Sequence, residues 1–121
     1  DRTTLLRALH ARAPEAGRLV FCEERPAGFC LGRHGVRLSQ LGPVVAETVE
    51  QAVALCQEAL SAWAGRAVVV DVPARQEAFI AWLRESGFEV QRPLTRMARG
   101  APLPRPAGAV QTFAICGPEF G

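Results

Sequence analysis

The chain has 121 residues, 49% of them hydrophobic and 21% charged, with a formal net charge of +2. That length and balance describe one globular domain able to bury a core of its own. A charge this small, on scattered basic residues, excludes a nucleic-acid-binding surface, and no apolar run is long enough to span a bilayer.

All 14 basic residues are arginine, and tyrosine is absent, which removes one common acid–base side chain from any mechanism. Four cysteines, Cys22, Cys30, Cys56 and Cys116, stand far apart with no C-x-x-C pair. They read as reduced, mostly buried thiols rather than zinc ligands or a disulfide framework. No secretory segment is seen, so the expected location is cytoplasmic. Because the chain starts directly in a helical pattern, it is expected to belong to a longer polypeptide.

Asp1 is a candidate N-cap, and Leu5, Leu6, Leu9 and Ala13 follow at helical spacing until Pro14 and Gly17 stop the pattern. His10 reads as a histidine on a solvated face. Residues 18–23 (RLVFCE) predict a strand, 24–28 a turn, and 28–33 (GFCLGR) the returning strand. Glu23 and Glu24 read as solvated carboxylates rather than an acid–base pair. His34-Gly35 predicts a second tight turn, with His34 exposed at its tip. A third strand from Val36 completes an antiparallel meander.

That third strand carries Gly42 and Pro43, and proline in a strand implies an edge, a bulge or a parting of neighbours. Val44, Val45 and Ala46 resume the apolar run. Thr48 and Gln51 then stand at the spacing of a capping box. A distorted strand feeding a capped helix suits an anion, and equally makes a plain sheet-to-helix corner, which is the favoured reading. The helix places Val49, Ala52, Val53, Cys56, Ala59, Leu60 and Trp63 on one face, and Gly65 is a candidate stop.

Residues 67–72 (AVVVDV) predict a fully buried strand, parallel to the third through a right-handed crossover. Asp71 at its exit stands where such sheets place ligand-contacting groups, or caps the next helix. That helix is predicted over 74–86, with Ala78, Phe79, Trp82 and Leu83 on one side and Gly87 as its stop. Residues 88–97 predict a strand with Pro93 at a bulge or edge. Arg92 and Arg96 flank that proline, to meet an anionic ligand or to form surface salt bridges. A Pro/Gly-rich connection follows over 98–108, then a last strand over 109–116 and a short tail. The order α-β-β-β-α-β-α-β-β describes an α+β fold: a mixed, mostly antiparallel sheet with one parallel βαβ crossover.

Read with its residues, that order resembles the GNAT superfamily of acyl-CoA-dependent N-acetyltransferases. The likeness is carried by LGPVVAETVEQAVALCQEAL, by AVVVDVP and by RQEAFIAWLRESGF with its Gly87-Phe88 pair. More narrowly, the ordered set GFCLGR, LGPVVAE, DVP, RPLTRM and AICGPEFG is similar to the GNAT-like C-terminal domain of two-domain bacterial acetyltransferases. The resemblance implies one GNAT-like domain over 1–121 whose sheet splays beside the third strand to admit acetyl-CoA. Gly42, Pro43, Val44, Val45 and Ala46 would line the pantetheine. Thr48 and Gln51 would face the pyrophosphate, and Glu47 would be the nearest base for an amine substrate.

The chain departs from the family pattern at two places. Where the family has a glycine-rich phosphate loop with a basic residue, this sequence has Glu47-Thr48-Val49-Glu50-Gln51. Two carboxylates beside a pyrophosphate cost affinity. Where many members carry a tyrosine, this chain has Leu83. Two functions are therefore expected: transfer of an acetyl group to a small-molecule or peptide amine, or a non-catalytic GNAT-like module. The module would bind substrate, pack on an N-terminal GNAT domain of the same polypeptide, or pair with its own copy.

Overall fold

The computed structural model describes residues 1–95, 97, 99–101 and 108–120. Helix α1 (Arg2–Arg12) starts where the Asp1 carboxylate accepts from the Thr3 N–H at 3.2 Å. It runs into a 3-10 turn at Pro14–Ala16. Strands β1 (Arg18–Cys22) and β2 (Arg25–Arg33) then form an antiparallel hairpin. Its turn is tighter than expected. Only Glu23 and Glu24 make it, with Glu23 at φ 58, and Pro26 lies in β2 beside a register shift in β1. Proline is tolerated there because the bulge already interrupts the ladder.

Strand β3 (Ser39–Ala46) begins three residues later than the sequence pattern implies, because Val36 stands fully exposed in the turn. β3 is the buried centre of the sheet, and β2 pairs antiparallel along one of its edges. Helix α2 (Val49–Ala62) follows and buries Ala52, Leu55, Cys56 and Ala59, with Trp63 buried just beyond its end. Burying a large apolar side chain contributes roughly 1.5–3 kcal/mol, so this stripe fixes the helix on the sheet. Cys30 of β2 and Cys56 of α2 meet in that core, both fully buried.

Strand β4 is only Val68–Val69, parallel to β3 at Ser39↔Val68 and Gln40↔Val69. Both residues are half-buried, so the expectation of a fully buried strand over 67–72 is corrected. Helix α3 (Glu77–Glu85) starts at an N-cap of Gln76 rather than near residue 74. The expected strand over 88–97 is also corrected. Residues 88–95 are irregular and mostly exposed, whereas Arg96 lies outside the described residues. No ladder reaches that segment, and Pro93 lacks the N–H that one would need. Strand β5 (Gln111–Ala114) closes the sheet, and a 3-10 turn at Pro118–Phe120 follows it. The architecture is mixed α+β, with three helices on a mostly antiparallel sheet.

Candidate functional site

The corner between β3 and α2 is where the sequence places a ligand. Along one edge, β3 pairs with β2 from Gln40↔Arg33 to Ala46↔Gly28. Two strands share its other edge. Ser39 and Gln40 pair with β4, and Val44, Val45 and Ala46 pair with Ala114, Thr112 and Gln111 of β5. β3 leaves β4 at Leu41, and β5 takes up the vacated edge.

Gly42 makes this exchange possible. Its φ is +150°, and the Gly42–Pro43 peptide is cis. A β-carbon at position 42 would lie 2.0 Å from the Ile115 carbonyl oxygen, so the backbone just past β5 crosses where a side chain would stand. On its far side, that backbone is tied to the segment after β4. The Ile115 N–H donates to the Asp71 carbonyl at 3.0 Å.

Side chains lock the seam. Gln76, 8% exposed, donates from Nε2 to the Thr112 carbonyl at 3.0 Å and to Gln111 Oε1 at 3.2 Å. Gln40, 7% exposed, donates from Nε2 to Asp71 Oδ2 at 3.0 Å. Phe113 is buried edge-on against Phe79, ring centroids 5.5 Å apart. Arg33 pairs with Glu119 beyond the strand.

The helix start is equally engaged. Thr48 Oγ1 accepts from the Gln51 N–H at 3.2 Å. In return, Gln51 Oε1 accepts from the N–H groups of Thr48 and Glu47 at 3.1 and 3.0 Å. Three N–H groups at this corner are thus already bonded within the chain. The Glu47 carboxylate is gripped by the Arg25 guanidinium through both oxygens, and this partner holds its carboxyl below the usual range. Arg25 is the cation at the corner, and its charge is answered by Glu47. The N–H groups of Val49 and Glu50 keep no acceptor within the helix, but a pyrophosphate would find the three capping-box donors taken and the Arg25 charge answered.

The other proposed residues stand apart. The Asp71 carboxylate is engaged by Gln40 and caps no helix, since α3 is capped at Gln76. Arg92 is exposed in the irregular segment after α3. Leu83 is buried in the core, 6% exposed.

At the opposite end of β3 lies a cluster that sequence spacing did not reveal. His34 Nε2 meets Glu15 Oε1, and its Nδ1 lies 3.2 Å from Ser39 Oγ and 3.4 Å from Arg66 Nη1. An arginine can only donate, so Nδ1 is the acceptor and Nε2 carries the hydrogen given to Glu15. The Trp63 indole N–H also donates to Glu15 Oε1, at 3.1 Å. The His34 ring lies 5.3 Å from that of Trp63. Ser39 is buried, and the cluster pins the β2–β3 turn to the first 3-10 turn and the end of α2. His34 is thus a structural hub rather than a silent turn tip. Its partners lie far apart in the chain, so no local motif announces them.

A family model described as an acetyltransferase (GNAT) domain matches residues 1–111. The chain belongs to the GNAT acetyltransferase domain family. The reaction class of that family is acyl transfer, and GNAT domains typically bind acetyl-CoA. Among solved structures, a point mutant of TTHA1254 from Thermus thermophilus is similar to this GNAT domain at 20% identity and a TM-score of 0.58. The likeness covers 82% of this chain and 79% of that one and concerns the fold alone. No curated protein matches. Among the described residues of this GNAT domain, no helix is long and apolar enough to cross a membrane, and no group of three or more His, Cys, Asp or Glu side chains could hold a metal ion.

Proposed function

We propose that this GNAT domain works as a non-catalytic module of a larger acetyltransferase, with the acyl transfer carried by a companion GNAT domain. That companion would precede it in the same polypeptide, and pairing of this domain with its own copy would be structural only. The reading rests on the pairing of β5 with Val44, Val45 and Ala46. A pantetheine arm needs that edge of β3 to act as a surrogate strand, and the edge is taken by the domain's own backbone. The capping box at Thr48 and Gln51 supports the same reading, since it engages donors that would otherwise face the pyrophosphate.

Direct transfer by this domain would ask Glu47 to accept a proton from the amine. A carboxyl held down by Arg25 is a weaker base than a free one. The test is calorimetry of the chain with acetyl-CoA, with CoA as control. The expected result is no saturable heat at millimolar ligand. Saturable micromolar binding would overturn the module reading. The amine acceptor and Glu47→Gln would then be examined as parts of a working site.

A further inference from the structure

The sheet has two unequally covered faces. Cys30 and Gly32 of β2 point toward α2, where a β-carbon on Gly32 would strike the Trp63 ring. By strand alternation, Phe29 and Leu31 point the other way. There Leu19, Phe29 and Val45 form one cross-strand row, through the pairs Leu19↔Phe29 and Phe29↔Val45. Helix α1 covers only one end of this row. Leu19 stays 63% exposed and Val110 51% exposed. Together these side chains make an open apolar surface that a ligand could cover.

The open surface is a trough with two different ends. Between α1 and the sheet it holds about 480 Å³, with Leu6, Leu19, Phe29 and Leu31 as walls. That volume is within the range of small-molecule sites. Beyond Leu19 and Phe29 it continues as a shallower stretch of about 190 Å³, bounded by Pro26, Ala27, Val45 and Val110. The α1 end is polar, with the Arg7 guanidinium and the His10 ring on its lining. No carboxylate lines either part. Arg18, also on the lining, pairs across the hairpin with Cys30 and sends its guanidinium to the Glu15 and Gly17 carbonyls and to Glu58 of α2 at 3.4 Å, so its charge lies on the other face. Arg7 has no ion-pair partner among the described residues. His10 lies over Gly17, whose missing side chain makes room for the ring.

We propose that this trough binds a long-chain carboxylate, with its anionic head at Arg7 and His10 and its hydrocarbon tail over Leu19 and Phe29 toward Val45 and Val110. The polarity runs in one direction, from the Arg7 cation and the His10 ring to a wholly apolar floor, and it complements a molecule polar at one end only. The tail gains by covering exposed apolar area, and the head gains a charge-assisted hydrogen bond. The site does not depend on the reading of the β3–β5 seam.

The test is titration of the chain with dodecanoate, below the concentration at which it forms micelles, followed by backbone amide NMR and by thermal melting. Saturable shifts at Leu19, Phe29 and Val45 and a raised melting temperature are expected. Arg7→Glu should weaken dodecanoate about tenfold while leaving dodecanol unchanged. Leu19→Arg, at an exposed position, should abolish binding of both. Leu19→Gln replaces it should that chain fail to melt cooperatively, and should weaken both. The proposal is overturned by an absence of saturable shifts, or by equal binding of dodecanoate and dodecanol with Arg7→Glu silent. Binding to phosphatidylglycerol vesicles without binding of free dodecanoate would also overturn it.

Discussion

Gly42 and Ile115 pass so closely that a β-carbon on the first would lie 2.0 Å from the carbonyl oxygen of the second. Backbone meets backbone here, so no side-chain rotation can relieve a substitution. The φ of +150° adds strain for any other residue. Gly42→Ala should therefore cost about 3 kcal/mol or more. Urea denaturation of the two chains would show it, and a loss below about 0.5 kcal/mol would mean that the crossing is not as close as described.

Gln76 ties α3 to β5 through two bonds from one amide nitrogen. Gln76→Leu keeps the bulk and removes both. A cost of about 1–2 kcal/mol is expected, because the partners on β5 lose their donor in a partly buried place. Hydrogen exchange should quicken first at the amides of 111–114. Uniform quickening across the sheet would assign Gln76 to global stability rather than to the seam.

Thr48→Ala removes the acceptor for the Gln51 N–H and leaves the Gln51 side chain half of the capping box. The expected loss is about 1 kcal/mol. It should come with no gain in acetyl-CoA binding, because β5 still holds the neighbouring edge. Urea denaturation and calorimetry on the variant check the two parts, and new saturable heat would show that the cap alone had kept the ligand out.

Glu15 supplies a pH dependence with a definite sign. Its carboxyl is held below the usual range, first by the Trp63 indole N–H, then by its own backbone, with His34 adding to both. A lowered folded-state value gives stability that is complete above the unfolded value and is lost as pH falls through the folded one. Below about pH 4 the melting temperature should therefore fall less steeply in Glu15→Gln than in the parent chain. Glu47 and Glu119 are lowered as well, so both chains keep an acid limb. Parallel limbs with a constant offset would sink the assignment.

The thiols should report the fold in order of their burial. Cys22 is exposed, Cys116 is half-buried, and Cys30 and Cys56 are buried. The Cys56 thiol is pushed up by Cys30 beside it and by burial, and Cys116 is pushed up by burial. Thiolates are the reacting form, so one fast, one slow and two silent thiols are expected with a disulfide reagent. Unfolding should release the silent pair. Fast reaction of Cys30 or Cys56 in the native chain would contradict the β2–α2 packing.

The parts of the fold that were legible in the sequence are those written in nearby residues. Thr48 and Gln51 announce their own cap, and the stripe from Ala52 to Trp63 announces the buried face of α2. The β1–β2 hairpin was visible from its turn, although Pro26 drew the turn too wide. What could not be read is which edge each later strand would take. Val68–Val69 looked fully buried because its residues are β-branched, yet only two of them find partners. The strand expected over 88–97 is irregular over 88–95, where no partner edge among the described residues is offered to it. Gly42 and Pro43 did signal a parting of neighbours, but nothing local shows that residues 111–114 fill it. The His34 cluster is of the same kind, since Glu15, Ser39, Trp63 and Arg66 meet only after the chain has folded.

The seam also has a bearing on how the domain assembles. The outer edge of β3 near Val44–Ala46 finds its partner far downstream, in the last strand. Contacts this distant in sequence form late and slow folding. Until β5 arrives, a hydrophobic strand edge with unpaired N–H and C=O groups stands open. It can take an equivalent strand from a neighbouring molecule as readily as its own. Yield on refolding should therefore depend on protein concentration more steeply than the small net charge alone would imply. Exchange of β5 between two copies is the misassembly to look for.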